Sequence, residues 1–556
     1  MNSLDIILSF IKENKRMFVI YFSIILLTYP LESIAISNIF GKIYDRFSMK
    51  TSLKNVSEIR SLFFIIIGIW IFICTSKIIK SYLFSKIVPT FYKYVRNVFF
   101  EKIILRYQRD FKELRLGHVI STFSDGPWAF YSSVNQMLGD YLPSSLTLIA
   151  VICYLFYLKP KFGLIALTAL SVLIFMVILI EPTCIKLSHY HQENISENNE
   201  LIQDKLSNLF SIYTSNSEKQ EIMDQLDREI TLENNLRKTI RCNDKIQITV
   251  NIVIAILFIS FSYMLFSDYK NKALPTNVLI SISIMTTYFF TYLNDISDNI
   301  SFSSHLFGII KNTDTFLKEL EISPEIIEKE KTQKKIDIIN GDIEFKNISF
   351  KYANSKENLL DNVSFSVKKD KDLCILGKSG SGKTTIIKLL LGFYDCTGGT
   401  ILIDNNDINN MDIEHLRSQI SYVDQNVKLF NTSILKNIQY GNNASYDQIR
   451  RIMIEYNLEH VFSNKENGLE TIAGVNGNNL SRGQRQIISI IRAILRPSKI
   501  LILDEPTSAL DNKTKETILN IIKKIKGKKT CIIITHDKDV LPFVSQIYKM
   551  KTDDDE

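Results

Sequence analysis

At 556 residues the chain is longer than one ordinary hydrophobic core, which predicts two or more domains. Hydrophobic residues make up 46% and mean hydropathy is +0.05, an average over two unlike halves. A net charge of +7 without a basic tract fits loops beside anionic lipid and argues against a nucleic-acid partner; seven scattered cysteines without a CxxC pair indicate neither a zinc site nor a disulfide framework.

Leu4, Ile7, Leu8 and Ile11 recur at helical spacing on a polar background and predict an amphipathic helix on the membrane surface over 1–15. No small-residue cleavage site accompanies it, so it is not read as a signal peptide. Six apolar runs follow: Met17–Phe40, interrupted by Pro30 and Glu32, then Leu62–Ile79, Tyr141–Leu158, Phe162–Cys184, Ile246–Phe266 and Val278–Leu293. Each approaches the roughly 20 residues that cross a bilayer core, so residues 16–300 are predicted to form an all-α transmembrane domain of six helices. The segments after the second and fourth runs are long, polar and helical in character, and predict helices that continue into the cytosol. The first outer loop carries Lys42, Arg46, Lys50, Lys54 and Arg60, against the positive-inside tendency. The long segments are placed inside because the nucleotide-binding half must meet ATP there.

Glu32, Glu181, Asn251, Asn294, Asp295 and Asp298 are polar residues in or near these runs and are candidates to line a cavity. Asp295 and Asp298 share a helix face; they either favour a cation or are solvated on a cytosolic extension of the sixth helix. The polar composition of 301–336 predicts a linker, and 337–556 a second, α/β domain. The end is acidic, Asp553 to Glu556.

In that domain Gly377-Lys378-Ser379-Gly380-Ser381-Gly382-Lys383-Thr384 follows the apolar run Leu373–Leu376, read as a buried strand, and precedes Thr385–Leu391, read as a helix. This is the context of a phosphate-binding loop. Its glycines let successive N–H groups turn around a polyphosphate, and the helix N-terminus adds its positive dipole end. Lys383 would reach the β- and γ-phosphates and the Thr384 hydroxyl would ligate Mg2+. Further on, Ile500–Leu503 is a buried strand ending in Asp504 and Glu505. Paired with the loop, Asp504 would hold the magnesium shell and Glu505 would polarise the attacking water.

Between the two lies Leu480-Ser481-Arg482-Gly483-Gln484-Arg485-Gln486, with Ser481 placed 23 residues before Asp504. Together these motifs resemble the ATP-binding cassette (ABC) family, and six spans before one cassette resemble its half-size exporters; the resemblance covers nearly the whole chain. It implies further roles by position. Tyr352 resembles the aromatic that stacks on adenine, with Thr385 completing the loop's contacts. Gln425 resembles the glutamine that contacts magnesium and senses the membrane domain. Asp511, in Ser508-Ala509-Leu510-Asp511, resembles the D-loop aspartate, and His536 the switch histidine on the γ-phosphate. Ser481, Gly483 and Gln484 would hold ATP bound to the Lys383 of a second copy, which implies a homodimer with two composite sites in a lipid bilayer. Coupling helices are implied near 110–116 and 210–217.

Three departures stand out. Arg482 replaces the first glycine of the signature pair, Val475 stands where the family's exporters usually carry glutamate, and the segment after Met550 is short of the family's closing helix. The resemblance implies an ATP-hydrolysing exporter of a lipid-like, peptide or drug-like amphipathic substrate, multi-pass in the cell (inner) membrane with its cassette in the cytoplasm. A nucleotide-gated channel or regulatory subunit, or one half of an obligatory heterodimer, are the other readings.

Overall fold

The computed structural model of the protein describes residues 3–48, 53–109, 116–321, 324–352, 355, 357–378 and 380–550. They fall into two compact units, one within the first 321 residues and one within 322–556, with Gln108 and Arg109 grouped with the second.

The first unit is all helical. Helix α1 (Ser3–Glu13) buries Ile6 and Phe10, whose ring lies 5.1 Å from Phe91 and 5.5 Å from Tyr94. Leu4 and Leu8 are exposed, on the side of the helix opposite the buried Ile6 and Phe10. Ser3 ties this helix down, its N–H and Oγ each donating to Asp314 at 3.0 Å.

Helices α2 (Lys15–Pro30) and α3 (Ile36–Ser48) are joined by a π-turn, Leu31–Ala35, into one column. Pro30 does not break the span: it is the last residue of α2, and the column continues through the wider turn that follows it. Next come α4 (Leu53–Arg109), then α5 (Leu116–Gln136) and α6 (Leu142–Leu158), again joined by a π-turn, Met137–Tyr141. Helices α7 (Pro160–Ser207), α8 (Leu209–Thr214), α9 (Glu218–Lys270) and α10 (Thr276–Glu319) complete the unit. Among the described residues, six columns are long and apolar enough to cross a membrane. They far exceed the predicted runs: 57 residues in α4 make about 85 Å, against a hydrocarbon core of roughly 30 Å.

Helix α8 occupies the place predicted for the second coupling helix, with Phe210 exposed. The place predicted for the first lies outside the described residues except Leu116, which begins α5. The expectation of no disulfide is corrected by Cys184–Cys242, which joins α7 to α9. These cysteines are 58 residues apart in the chain, so only the antiparallel packing of two long helices reveals the pair.

The second unit begins with α11 (Pro324–Thr332). Strands β1 (Ile343–Phe350) and β2 (Leu360–Val367) lead to β3 (Asp372–Leu376), α12 (Lys383–Leu390), β4 (Gly398–Ile403) and β5 (Asn406–Asp407). Then follow α13 (Ile413–Ser418), β6 (Ile420–Val423), α14 (Ile434–Gln439), α15 (Tyr446–Glu455), α16 (Arg482–Leu495), β7 (Ile500–Asp504), α17 (Asn512–Ile525), β8 (Thr530–Ile534) and β9 (Gln546–Lys549). An antiparallel sheet runs β2-β1-β4-β5, and a parallel sheet β6-β7-β8-β3-β9. Every residue of β7 and β8 is buried, as expected for central parallel strands covered on both faces. The fold class is thus the expected one, a six-helix membrane domain followed by an α/β domain.

Candidate functional site

Parallel register brings the motifs to one edge of the sheet. Asp504 at the end of β7 pairs with Ile534 of β8, which pairs in turn with Ile375 of β3. The loops that leave these three strands therefore open side by side, where ligands bind in α/β sheets. Together with the loop that leaves β6, which supplies Gln425, they enclose a cavity of ≈ 420 Å³ lined by Lys378, Gly380, Lys383, Thr384, Gln425, Asp504, Glu505 and His536.

The loop after β3 turns through Gly380 at φ +86° and Gly382 at φ +89°, the latter capping α12. Only a residue without a Cβ suits Gly382, since an added Cβ would stand 2.6 Å from Leu360 Cδ2. Lys383 is buried and its Nζ donates to the Gly377 and Lys378 carbonyls at 2.7 and 2.8 Å. Ser381 Oγ is buried without a hydrogen-bond partner, and Ser379 lies outside the described residues. A lysine, a helix N-terminus and an orphaned hydroxyl around one turn suit a phosphate.

Asp504 Oδ2 accepts from Thr384 Oγ1 at 3.4 Å and from the Tyr422 hydroxyl at 3.3 Å. Burial pushes its carboxyl up to about 6; the Tyr422 and Thr384 hydrogen bonds pull it down, and the charges of Asp424 and Glu505 push it up. Thr384, Gln425 and Asp504 thus offer oxygen donors on one cavity, a set that fits a hard cation. Glu505 is buried and adopts φ +47°. Its Oε1 and Oε2 lie 2.8 and 2.7 Å from His536 Nδ1, and its N–H donates to the Ile534 carbonyl at 2.8 Å.

Other predicted residues stand apart from this cavity. Ser481 caps α16 in a reciprocal box: the Gln484 N–H donates to Ser481 Oγ, and the Ser481 N–H to Gln484 Oε1, both at 3.1 Å. Gly483 is buried in the first turn of that helix. Asp511 caps α17 through the Thr514 N–H at 2.9 Å. The Tyr352 hydroxyl lies 2.9 Å from Thr385 Oγ1, and its ring packs edge-on against Phe350 and Tyr394. Tyr422 was not singled out for a role; its place two residues before Asp424, on the strand beside β7, was the available signal. Asp537, bonded to Thr507 Oγ1 at 2.9 Å and paired with Lys515 at 2.8 Å, braces the segment behind Glu505 and had no sequence signal.

A model described as ABC transporter matches residues 360–508, and one described as ABC transporter transmembrane region matches residues 17–293. The chain is 29% identical over 525 residues to a protein of Rickettsia conorii described as an export ATP-binding/permease protein, covering 92% of this chain and 88% of that one. It is 40% identical over 227 residues to an ATP-dependent lipid A-core flippase of Vibrio parahaemolyticus, covering 40% of this chain and 38% of the flippase. A solved bacterial Atm1-family ABC exporter with ATP bound has the same fold at a TM-score of 0.86 and 20% identity, over 97% of this chain and 93% of that one.

Proposed function

The chain belongs to the ABC transporter family, a multi-pass membrane protein that couples ATP hydrolysis in a cytoplasmic domain to export, and we propose that two copies do this through two shared ATP sites. The observation that carries the proposal is the convergence of Lys383, Thr384, Gln425, Asp504, Glu505 and His536 on one cavity at the edge of the parallel sheet.

Each residue has a role that its surroundings support. Lys383, already held against two carbonyls, exchanges them for phosphate oxygens, a stronger charge-assisted bond. The N–H groups of the Gly377–Gly382 turn and of Thr384 and Thr385 complete the phosphate cradle. Thr384, Gln425 and Asp504 would hold Mg2+, which neutralises phosphate charge when bound. Glu505 orients and deprotonates the attacking water, and His536, against the same carboxylate, stabilises charge that develops on the γ-phosphate.

Ser481, Gly483 and Gln484, away from this cavity, face the ATP of a second copy, as the shared ATP sites require. Tyr352 presents a ring to adenine and Asp511 supports the facing copy. Closure of the two cassettes around ATP drives alternating access in the membrane domain, and hydrolysis resets it. The membrane is the inner one. The substrate is amphipathic, lipid-like, peptide or drug-like, taken from the cytoplasm or the inner leaflet; of these, the name of the lipid A-core flippase agrees with the lipid-like one.

Glu505→Gln tests the assignment. The variant should bind ATP as the wild type does while turnover falls by at least about 10²-fold. Turnover at the wild-type rate would remove Glu505 from its role.

A further inference from the structure

Arg482, which stands where the signature pair has its first glycine, is half-buried in the first turn of α16. It lines a second cavity of the cassette, of ≈ 240 Å³. Three segments build the walls. The stretch after β6 brings Gln425 and Lys428, the turn Val475–Gly477 and its successor bring two asparagines, and α16 brings Arg482, Arg485 and Gln486.

The charges that meet there have one sign. Lys428 and Arg482 make no hydrogen bond or ion pair among the described residues. Arg485 is held in place by the turn: a Cβ added to Gly477, at φ +82°, would stand 2.6 Å from Arg485 Cδ. Its guanidinium donates to the Gly477 and Leu480 carbonyls at 3.3 and 3.0 Å. Among the described residues no acidic side chain lines the cavity. Asp424, beside Gln425 in the chain, instead accepts from the Asn426 N–H at 3.2 Å. Three cations gathered without an acid repel one another unless an anion joins them.

Gln486 points to the same conclusion independently. It is 3% exposed, and its Nε2 has no acceptor among the described residues. A buried donor is costly to leave unmade, so an acceptor belongs in the space it lines. The start of α16 at this wall adds its positive dipole end.

The number of donors selects the kind of anion. Two arginines, a lysine and an amide call for several acceptor oxygens and more than one negative charge. A tetrahedral dianion supplies both, whereas a single carboxylate from a facing protein surface supplies one charge and half the oxygens. The cavity holds such an ion with a few waters, at about 30 Å³ for each water. Gln425 lines this cavity and the ATP cavity alike, so hydrolysis releases a fitting anion one side chain away.

We propose that this cavity is a binding site for inorganic phosphate, beside the ATP site and separate from it. Lys428 and Arg482 neutralise the charge, and Arg485 and Gln486 fix the oxygens through charge-assisted and amide hydrogen bonds.

Equilibrium dialysis of labelled inorganic phosphate against the full chain in lipid discs tests it, with empty discs subtracted. Mg2+ and a saturating non-hydrolysable ATP analogue are present, so that phosphate at the Lys383 loop is not counted. The wild type should bind one phosphate per chain, saturably, with a Kd of about 1 mM. Sulfate should displace it, and acetate at equal ionic strength should not. The double variant Arg482→Gly/Lys428→Ala, checked for intact size and melting temperature, should lose at least about tenfold in phosphate affinity. Three results overturn the proposal: no saturable binding once the analogue is present, displacement by acetate as strong as by sulfate, or unchanged affinity in the folded variant. If the double variant does not fold, Gln486→Met, which keeps the size and removes the donor, takes its place. Weaker phosphate binding there supports the site, and unchanged binding overturns it.

Discussion

His536 Nδ1 stands 2.8 Å from Glu505 Oε1, and Glu505 itself is held at φ +47°. A non-glycine residue there costs about 1–3 kcal/mol and persists only where surrounding structure enforces it. Here the Ile534 carbonyl and the brace behind, Thr507 to Asp537, do so. His536 is the exposed partner and Glu505 the buried one, so the histidine can meet phosphate without displacing the acid. We expect His536→Ala to cost about 10²–10³ in kcat with ATP affinity nearly unchanged. Single-turnover hydrolysis with separately measured binding checks it, and an equal loss in both would assign the histidine to binding.

Lys383 and Ser481 belong to different sites within one chain if each ATP is shared. Lys383→Ala and Ser481→Arg should each abolish hydrolysis in a pure population. A co-expressed mixture of the two should regain part of the activity, because each mixed dimer carries one intact pairing. Steady-state ATPase of the mixture, purified through tags on both chains, reads the outcome. No recovery would argue against sharing.

Gly382 lies at φ +89° with its missing Cβ facing Leu360 Cδ2. Gly382→Ala should destabilise the cassette by about 1–3 kcal/mol. Leu360→Val in the same chain should restore only part, since it removes the contact and leaves the backbone strain. Melting temperatures of the wild type, these two variants and Leu360→Val alone separate the two contributions.

Cys184 and Cys242 are joined, whereas Cys74 and Cys153 are free and exposed. Alkylation of the denatured, unreduced protein, followed by mass spectrometry, should modify Cys74, Cys153 and the other three free cysteines and spare the pair. Reduction should then release both. Prompt modification of Cys184 or Cys242 in unreduced protein would contradict the pairing.

The strand–loop–helix around Lys383 and the strand ending at Asp504 were legible because local pattern dictates them: a buried run, a glycine-rich turn, a helix start. The six apolar runs were legible for the same reason, although their ends were not, because polar helix beyond the bilayer carries no hydropathy signal. What stayed hidden depends on distant pairing. Tyr422 meets Asp504 only through the order of the parallel sheet, and Cys184 meets Cys242 only through the packing of two long helices. Pro30 and Glu32 looked like an interruption of the first span. They adjoin a π-turn whose acid needs the Lys77 of another helix to be tolerated there.

The central claim, that this chain works with its own copy as an ATP-driven exporter, is tested most directly by the ATPase activity of the pure chain in lipid discs with Mg2+. The account predicts saturable, Mg2+-dependent hydrolysis by the chain alone, lost in Glu505→Gln. Tight ATP binding without turnover in the wild type would contradict it.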